Sequence, residues 1–299
     1  MGWLGQCVRI SAYLGAAGLL LAGGLVVWRA AAAARTPSEA ACAVKAVERA
    51  KVVEVLDGAA LKLQDGRRVL LSGVGAPRTN GKGAGAEFAA EAQRALSRLV
   101  LNQDVRLGEA SKPSKSGWVR AQVMAGDGKW IQGELVSGGY AWVRTFPDRR
   151  ECSSELLKRE AGARAAKKGL WALPVYGARK PEEAASGKGR FSFVEGVVTR
   201  AADVNGLVFL NFGEDYRTDF TVQIRQKARA LFAGANAGLE NLEGKRVRVR
   251  GFVQERNGPM IDVNVPEQIE VLANVDPQRW RPSRIVKDPR FLHAARARA

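Results

Sequence analysis

Apolar and polar residues alternate from Lys51 to Leu56, turn at Asp57-Gly58, and alternate again from Leu61 to Leu63. Asp65-Gly66 is a two-residue hairpin signal, and Val69 to Val74 returns as a strand. The period then lengthens. Phe88, Ala92, Ala95, Leu96, Leu99 and Val100 recur at three and four, the single apolar face of a helix. Val105 to Leu107 and Val119 to Met124 read as strands around a polar loop, Lys112 to Gly117. A short helix around Trp130 to Val136 ends at Gly138-Gly139. Ser153 and Ser154 are placed to cap a last helix running to Lys168, with Gly169 as its stop.

Residues 174–189 are rich in Pro, Gly, Ala and charge, as a linker between domains would be. Strands are then expected at Phe191 to Thr199, Leu207 to Phe212, Phe220 to Ile224, Arg246 to Val253 and Ile261 to Val265, with a helix at Gln226 to Ala233. Five strands with one helix fit a small closed barrel of the oligonucleotide-binding type, whereas an immunoglobulin-like sandwich needs about seven. The expected division is a hydrophobic leader at 1–35, a first domain at 45–173, the linker, a second β domain at 190–273, and a basic tail at 274–299. The fold class is mainly β with α.

Ile10 to Trp28 is a run of 19 residues without a charge. As a helix it would reach ~28 Å, about the thickness of a bilayer core. The small residues Ala30 to Ala34 follow it, so the segment reads as a cleaved signal or a single-span membrane anchor, with the domains exported. Arg29, Arg35, Lys45 and Arg49 after the span count against that orientation. Cys42 and Cys152 would remain in an exported domain as one possible disulfide. The chain has one histidine and no CxxC, which excludes a zinc site and a histidine general base. Its 47 Lys+Arg against 30 Asp+Glu, a formal +17, point to anionic partners and are silent on reaction type.

Four stretches carry a family resemblance: VVEVLDGAALKLQDGRRVLLSGVGAP, AAEAQRALSRLVLNQDVRL, SGWVRAQVMAGDGKWIQGELVSGGYAWV and CSSELLKREAGARAAKKGLW. In order and spacing they resemble the staphylococcal nuclease-like (thermonuclease) family. The resemblance implies a five-stranded barrel with three helices. For active members it also implies calcium held by aspartates, a glutamate aligning water, and two arginines on the phosphate. Hard calcium wants several oxygen ligands, and guanidinium stabilises the charge gathering on phosphorus. The positions that match the reactive ones here are Ala59, Leu70, Gly75, Arg78 and Trp118. Asp57 and Pro77 keep the family pattern. On this reading no catalytic residue and no calcium site remain.

Binding is the expectation that survives. Arg67, Arg68, Arg78, Lys82, Lys112, Lys115 and Arg120 cluster around the loops of the lost site, where they could hold a phosphodiester backbone. In the second domain Arg246, Arg248 and Arg250 share one strand face, and Phe209, Phe212 and Phe220 offer stacking surfaces or simply core. The expected partner is single-stranded nucleic acid or another polyanion, with membrane contact through residues 10–28. The alternatives are an envelope assembly protein that uses its barrels for protein contacts, and a residual calcium-dependent phosphodiesterase.

Overall fold

A computed structural model describes residues 42, 44–78, 84–232 and 239–274. The hydrophobic run at 10–28, Lys82 and nearly all of the basic tail lie outside the described residues. Among the described residues no helix is long and apolar enough to cross a membrane.

The first barrel is closed, in the order β1-β2-β3-β6-β5. It is built on one long strand, β1 (Ala46–Asp57), which pairs with β5 (Asp104–Gly108) through its first half. Its second half pairs with β2 (Ala60–Leu63). Register shifts between Val52 and Glu54 and between Val55 and Asp57 bend β1 so that one strand serves two sides of the barrel. β3 (Arg68–Leu71) pairs with β2 and runs parallel to β6 (Trp118–Ala125), which returns to β5. Val52, Leu61, Leu63, Val69, Leu107, Ala121 and Val123 point inward and are buried.

Helix α1 (Ala84–Val100) puts Ala95, Leu96 and Val100 on that core. Two residues make the short strands β4 (Val74–Gly75) and β7 (Trp142–Val143), which pair with each other beside the barrel. Between them come β5, β6 and α2 (Ile131–Ser137). Helix α3 spans Ser153–Ala165, shorter than its sequence pattern suggests. Neither serine caps it. Cys152 occupies the cap position with a left-handed backbone and no side-chain cap bond, because its sulfur is joined to Cys42 across a 5.3 Å Cα separation. Gly169 opens a separate 3-10 turn, Gly169–Ala172.

Residues 174–189 are structured. They form two 3-10 segments, Pro174–Tyr176 and Pro181–Gly187, with Ala184 fully buried. Arg179 exchanges backbone hydrogen bonds of 2.8 Å with Phe193 and Glu195, which stitches the connector to the strand that follows.

That strand, β8 (Phe191–Val197), belongs to a curled, half-barrel sheet of seven strands, two more than alternation suggested. The additional ones are β9 (Arg200–Val204) and β14 (Ile269–Asn274), at the two ends of the sheet. Edge strands need no two-sided burial, so their sequences alternate poorly. β10 (Leu207–Asn211), β11 (Thr221–Ile224) and β13 (Pro259–Val263) lie between, with the one-turn α4 (Gln226–Arg229) after β11. The long β12 (Lys245–Glu255) pairs with β8 on one edge and with β14 and β13 on the other. Phe209, Phe212 and Phe220 are 2%, 8% and 1% exposed, so they are packed inside and offer no stacking surface.

The barrel and the curled sheet share a cluster. Phe88, Trp142 and Leu170 from the first pack with Phe193 from the second. Trp142 stacks on Phe191 at 5.1 Å, and Phe191 meets Phe252 edge-on at 5.6 Å.

Candidate functional site

The same chain turns that would build a nuclease centre here converge on a cavity of about 570 Å³. Asp57 and Ala59 reach it from the β1–β2 turn, Leu70 from β3, and Gly75, Pro77 and Arg78 from the end of β4. Four of the five substituted positions, Ala59, Leu70, Gly75 and Arg78, therefore line one space. Trp118 does not; it lies under the guanidinium of Arg68, 4.7 Å from the ring centroid.

Arg78, Arg120, Arg144, Arg179 and Arg190 line the cavity, with Asp57 as its one carboxylate. None of the five arginines makes an ion pair with a described carboxylate, although the field of Glu183 reaches Arg179. Arg120 and Arg144 lie against the Phe146 ring, 4.6 and 5.0 Å from its centroid. Arg144 also lies 5.0 Å from the Phe252 ring of the curled sheet. Burial, then the neighbouring charges of Arg78 and Arg120, push the Arg144 pKa below the usual guanidinium range. Burial and Arg190 do the same to Arg179, against the opposing pull of Glu183. Arg179 donates to Ser186 Oγ at 3.1 Å and Arg190 to the Ser186 carbonyl, so like charges gather here with no described carboxylate in direct ion pairing.

The remaining sequence candidates fall elsewhere. Arg67 is paired with Glu48 and Asp65, which raises its pKa and takes it out of use. Arg68 donates to the Ser116 carbonyl. Lys112 and Lys115 are exposed on their loop, away from the cavity wall.

Arg248 and Arg250 are spent on carboxylates, which corrects the expectation for them, while the Arg246 side chain stays 57% exposed. Arg250 is buried and places Nη1 2.8 Å from both oxygens of Glu160, itself fully buried on α3. Arg248 pairs with Glu195 and Glu270, and Arg246 with Glu195. This face meets the first barrel, so its charges are spent on carboxylates there and within the sheet.

Sequence reading missed Arg144, Arg179 and Arg190, which carry most of the site. One signal was available for Arg144. It follows Trp142 by two residues, so both side chains fall on the same side of an extended strand.

Calcium, which the nuclease resemblance implies, does not fit these residues. It asks for six to eight oxygen ligands. Asp57 supplies the only carboxylate on the wall, and its Oδ1 accepts the Ala59 N–H at 2.7 Å. Among the described residues no three His, Cys, Asp or Glu side chains stand close enough to hold an ion. At Gly75, a Cβ would come 2.7 Å from Trp142 Nε1, so the indole now fills the space an aspartate would need.

Residues 68–173 match the model of the staphylococcal nuclease homologue family. The chain thus carries a staphylococcal nuclease-like domain. The matched range starts at β3, and β1 and β2 complete the barrel ahead of it. No curated protein matches the chain.

Proposed function

We propose that this chain is a non-catalytic polyanion-binding protein of the cell envelope, with single-stranded nucleic acid as its ligand. The observation that carries this reading is a cavity rich in guanidinium groups and poor in carboxylates. Five arginines and one aspartate line the cavity where the family's metal ligands would stand. An arginine side chain stays protonated and cannot act as a base. It is suited to holding phosphate oxygens through charge-assisted hydrogen bonds.

Export is supported by the bond between Cys42 and Cys152, since disulfides persist in oxidising compartments. The apolar run at 10–28 is long enough for a membrane anchor or a cleaved signal; a cleaved signal, or an anchor with its C-terminal side exported, delivers the domains outside the cytoplasm.

The test is a nuclease assay with and without calcium, run beside a binding titration of a single-stranded oligonucleotide at two salt concentrations. Binding without cleavage is expected. If three to five arginines each neutralise a phosphate, log K should fall with log salt with a slope of about −2 to −3.5. Calcium-stimulated turnover that Asp57→Ala abolishes would overturn the proposal. So would affinity for no polyanion together with a fixed protein partner on purification.

A further inference from the structure

The cavity contains more positive charge than an internal phosphodiester can use, and the charge comes in two groups. Arg78, Arg120 and Arg144 belong to the first barrel; Arg179 belongs to the connector, and Arg190 stands at its junction with β8. Neither of the latter two falls within the residues the family model matches.

We propose that the first group holds a terminal phosphomonoester of a nucleotide, and that Arg179 and Arg190 receive the next phosphate where a strand continues. This rests on the polyanion reading above and adds what the pocket selects within that class.

Charge is the first argument. A phosphodiester carries one negative charge, whereas a phosphomonoester carries about −1.5 to −2 near neutral pH. Three guanidinium groups with no carboxylate partner are better matched by the monoester. Burial first, and the charges of Arg78 and Arg120 second, lower the Arg144 pKa, and a compact dianion relieves the repulsion among the three.

The second argument is an unpartnered donor. Trp142 is 7% exposed and lines the cavity, yet its indole N–H has no acceptor. That nitrogen stands over Gly75, where a Cβ would be only 2.7 Å away. A buried N–H without a partner is unfavourable. A phosphate oxygen in the cavity would satisfy it.

Size and shape agree. A space of about 570 Å³ falls in the range of small-ligand sites. Phe252, 44% exposed, brings an aromatic face from the curled sheet to the same wall, where a base can stack.

The experiment uses the full-length protein and short labelled oligonucleotides of one sequence carrying a 5′-phosphate, a 3′-phosphate or neither. A nucleoside monophosphate and inorganic phosphate serve as competitors. One phosphorylated end should bind about tenfold or more tighter than the unmodified strand, the size of one charge-assisted hydrogen bond. Arg144→Gln should erase that preference. Arg78→Gln should do the same at an exposed position where folding is not at risk. Arg98→Gln, exposed on α1 and away from the cavity, should leave the preference intact. Competition by the mononucleotide identifies a free nucleotide as the source; competition only by a phosphorylated strand identifies a strand end. Equal, salt-sensitive binding of all three oligonucleotides would overturn this inference and leave the polyanion reading standing. Binding of none of them would overturn both.

Discussion

Glu160 is the side chain on which the joint between barrel and curled sheet depends. It is fully buried, accepts the Val143 N–H at 2.6 Å, and receives Arg250 Nη1 on both oxygens at 2.8 Å. Arg164, one turn further along α3, pairs with it as well. Replacing Glu160 by Leu would leave the Arg250 charge, 2% exposed, and one strand N–H without their partner. Breaking one side of a buried pair costs about 3–5 kcal/mol, and an orphaned donor about 1–3. The two are not additive, and Glu270 remains 3.4 Å from both Arg250 and Arg164. A loss of about 4 kcal/mol is therefore expected, which lowers Tm by ~8–16 °C for a body of this size.

Glu160→Gln keeps an acceptor for Val143 and should cost about half as much. The double variant Glu160→Leu with Arg250→Met removes both charges and should recover at least half of the loss. Guanidinium titrations of the three proteins supply the comparison. A cost below about 1 kcal/mol for Glu160→Leu, or a double variant no better than the sum of its parts, would refute the reasoning.

Three further outcomes follow from the same geometry. The bond from Cys42 to Cys152 spans 110 residues, so reduction should destabilise the protein by about 4 kcal/mol; an unchanged melting curve in reductant would count against it. Gly75→Asp would restore a carboxylate at a ligand position, but its Cβ meets Trp142 Nε1 at 2.7 Å. It should destabilise by about 1–3 kcal/mol and add no heat of calcium binding in calorimetry. Preference for a phosphorylated strand end should weaken as pH falls through about 6, where the monoester takes up its second proton. A preference that strengthens on acidification would contradict the assignment.

The barrel was legible because its strands and α1 keep clean periods: Val69 and Leu71 point in while Leu70 turns to the cavity. The substitutions at the positions that match the family's reactive ones were equally plain, since they are a matter of side-chain type. The site around them was not. Arg179 sits in a stretch whose Pro, Gly and Ala content reads as linker, with Arg190 directly after it, and only the pairing with β8 brings them to the wall. Arg246, Arg248 and Arg250 misled for the converse reason. A charged strand face looks solvated until a second body supplies carboxylates, and Glu160 lies 90 residues away in the chain.

Five guanidinium groups and one carboxylate line the cavity. The carboxylate is Asp57, and it separates the two chemistries by sign. For a metal-dependent nuclease this carboxylate helps to hold the ion, so Asp57→Asn would abolish turnover. For a guanidinium pocket it is the one repulsive charge facing an incoming phosphate. Asn keeps an oxygen for the Ala59 N–H, so the turn should hold. Removing one negative charge ~8 Å from a phosphate is worth about 0.5–2 kcal/mol for an effective dielectric between bulk water and a protein surface. The variant should therefore bind a phosphorylated oligonucleotide about two- to thirtyfold more tightly. Weaker binding by Asp57→Asn, with the fold intact by circular dichroism, would mean that the aspartate attracts the ligand through a bound cation.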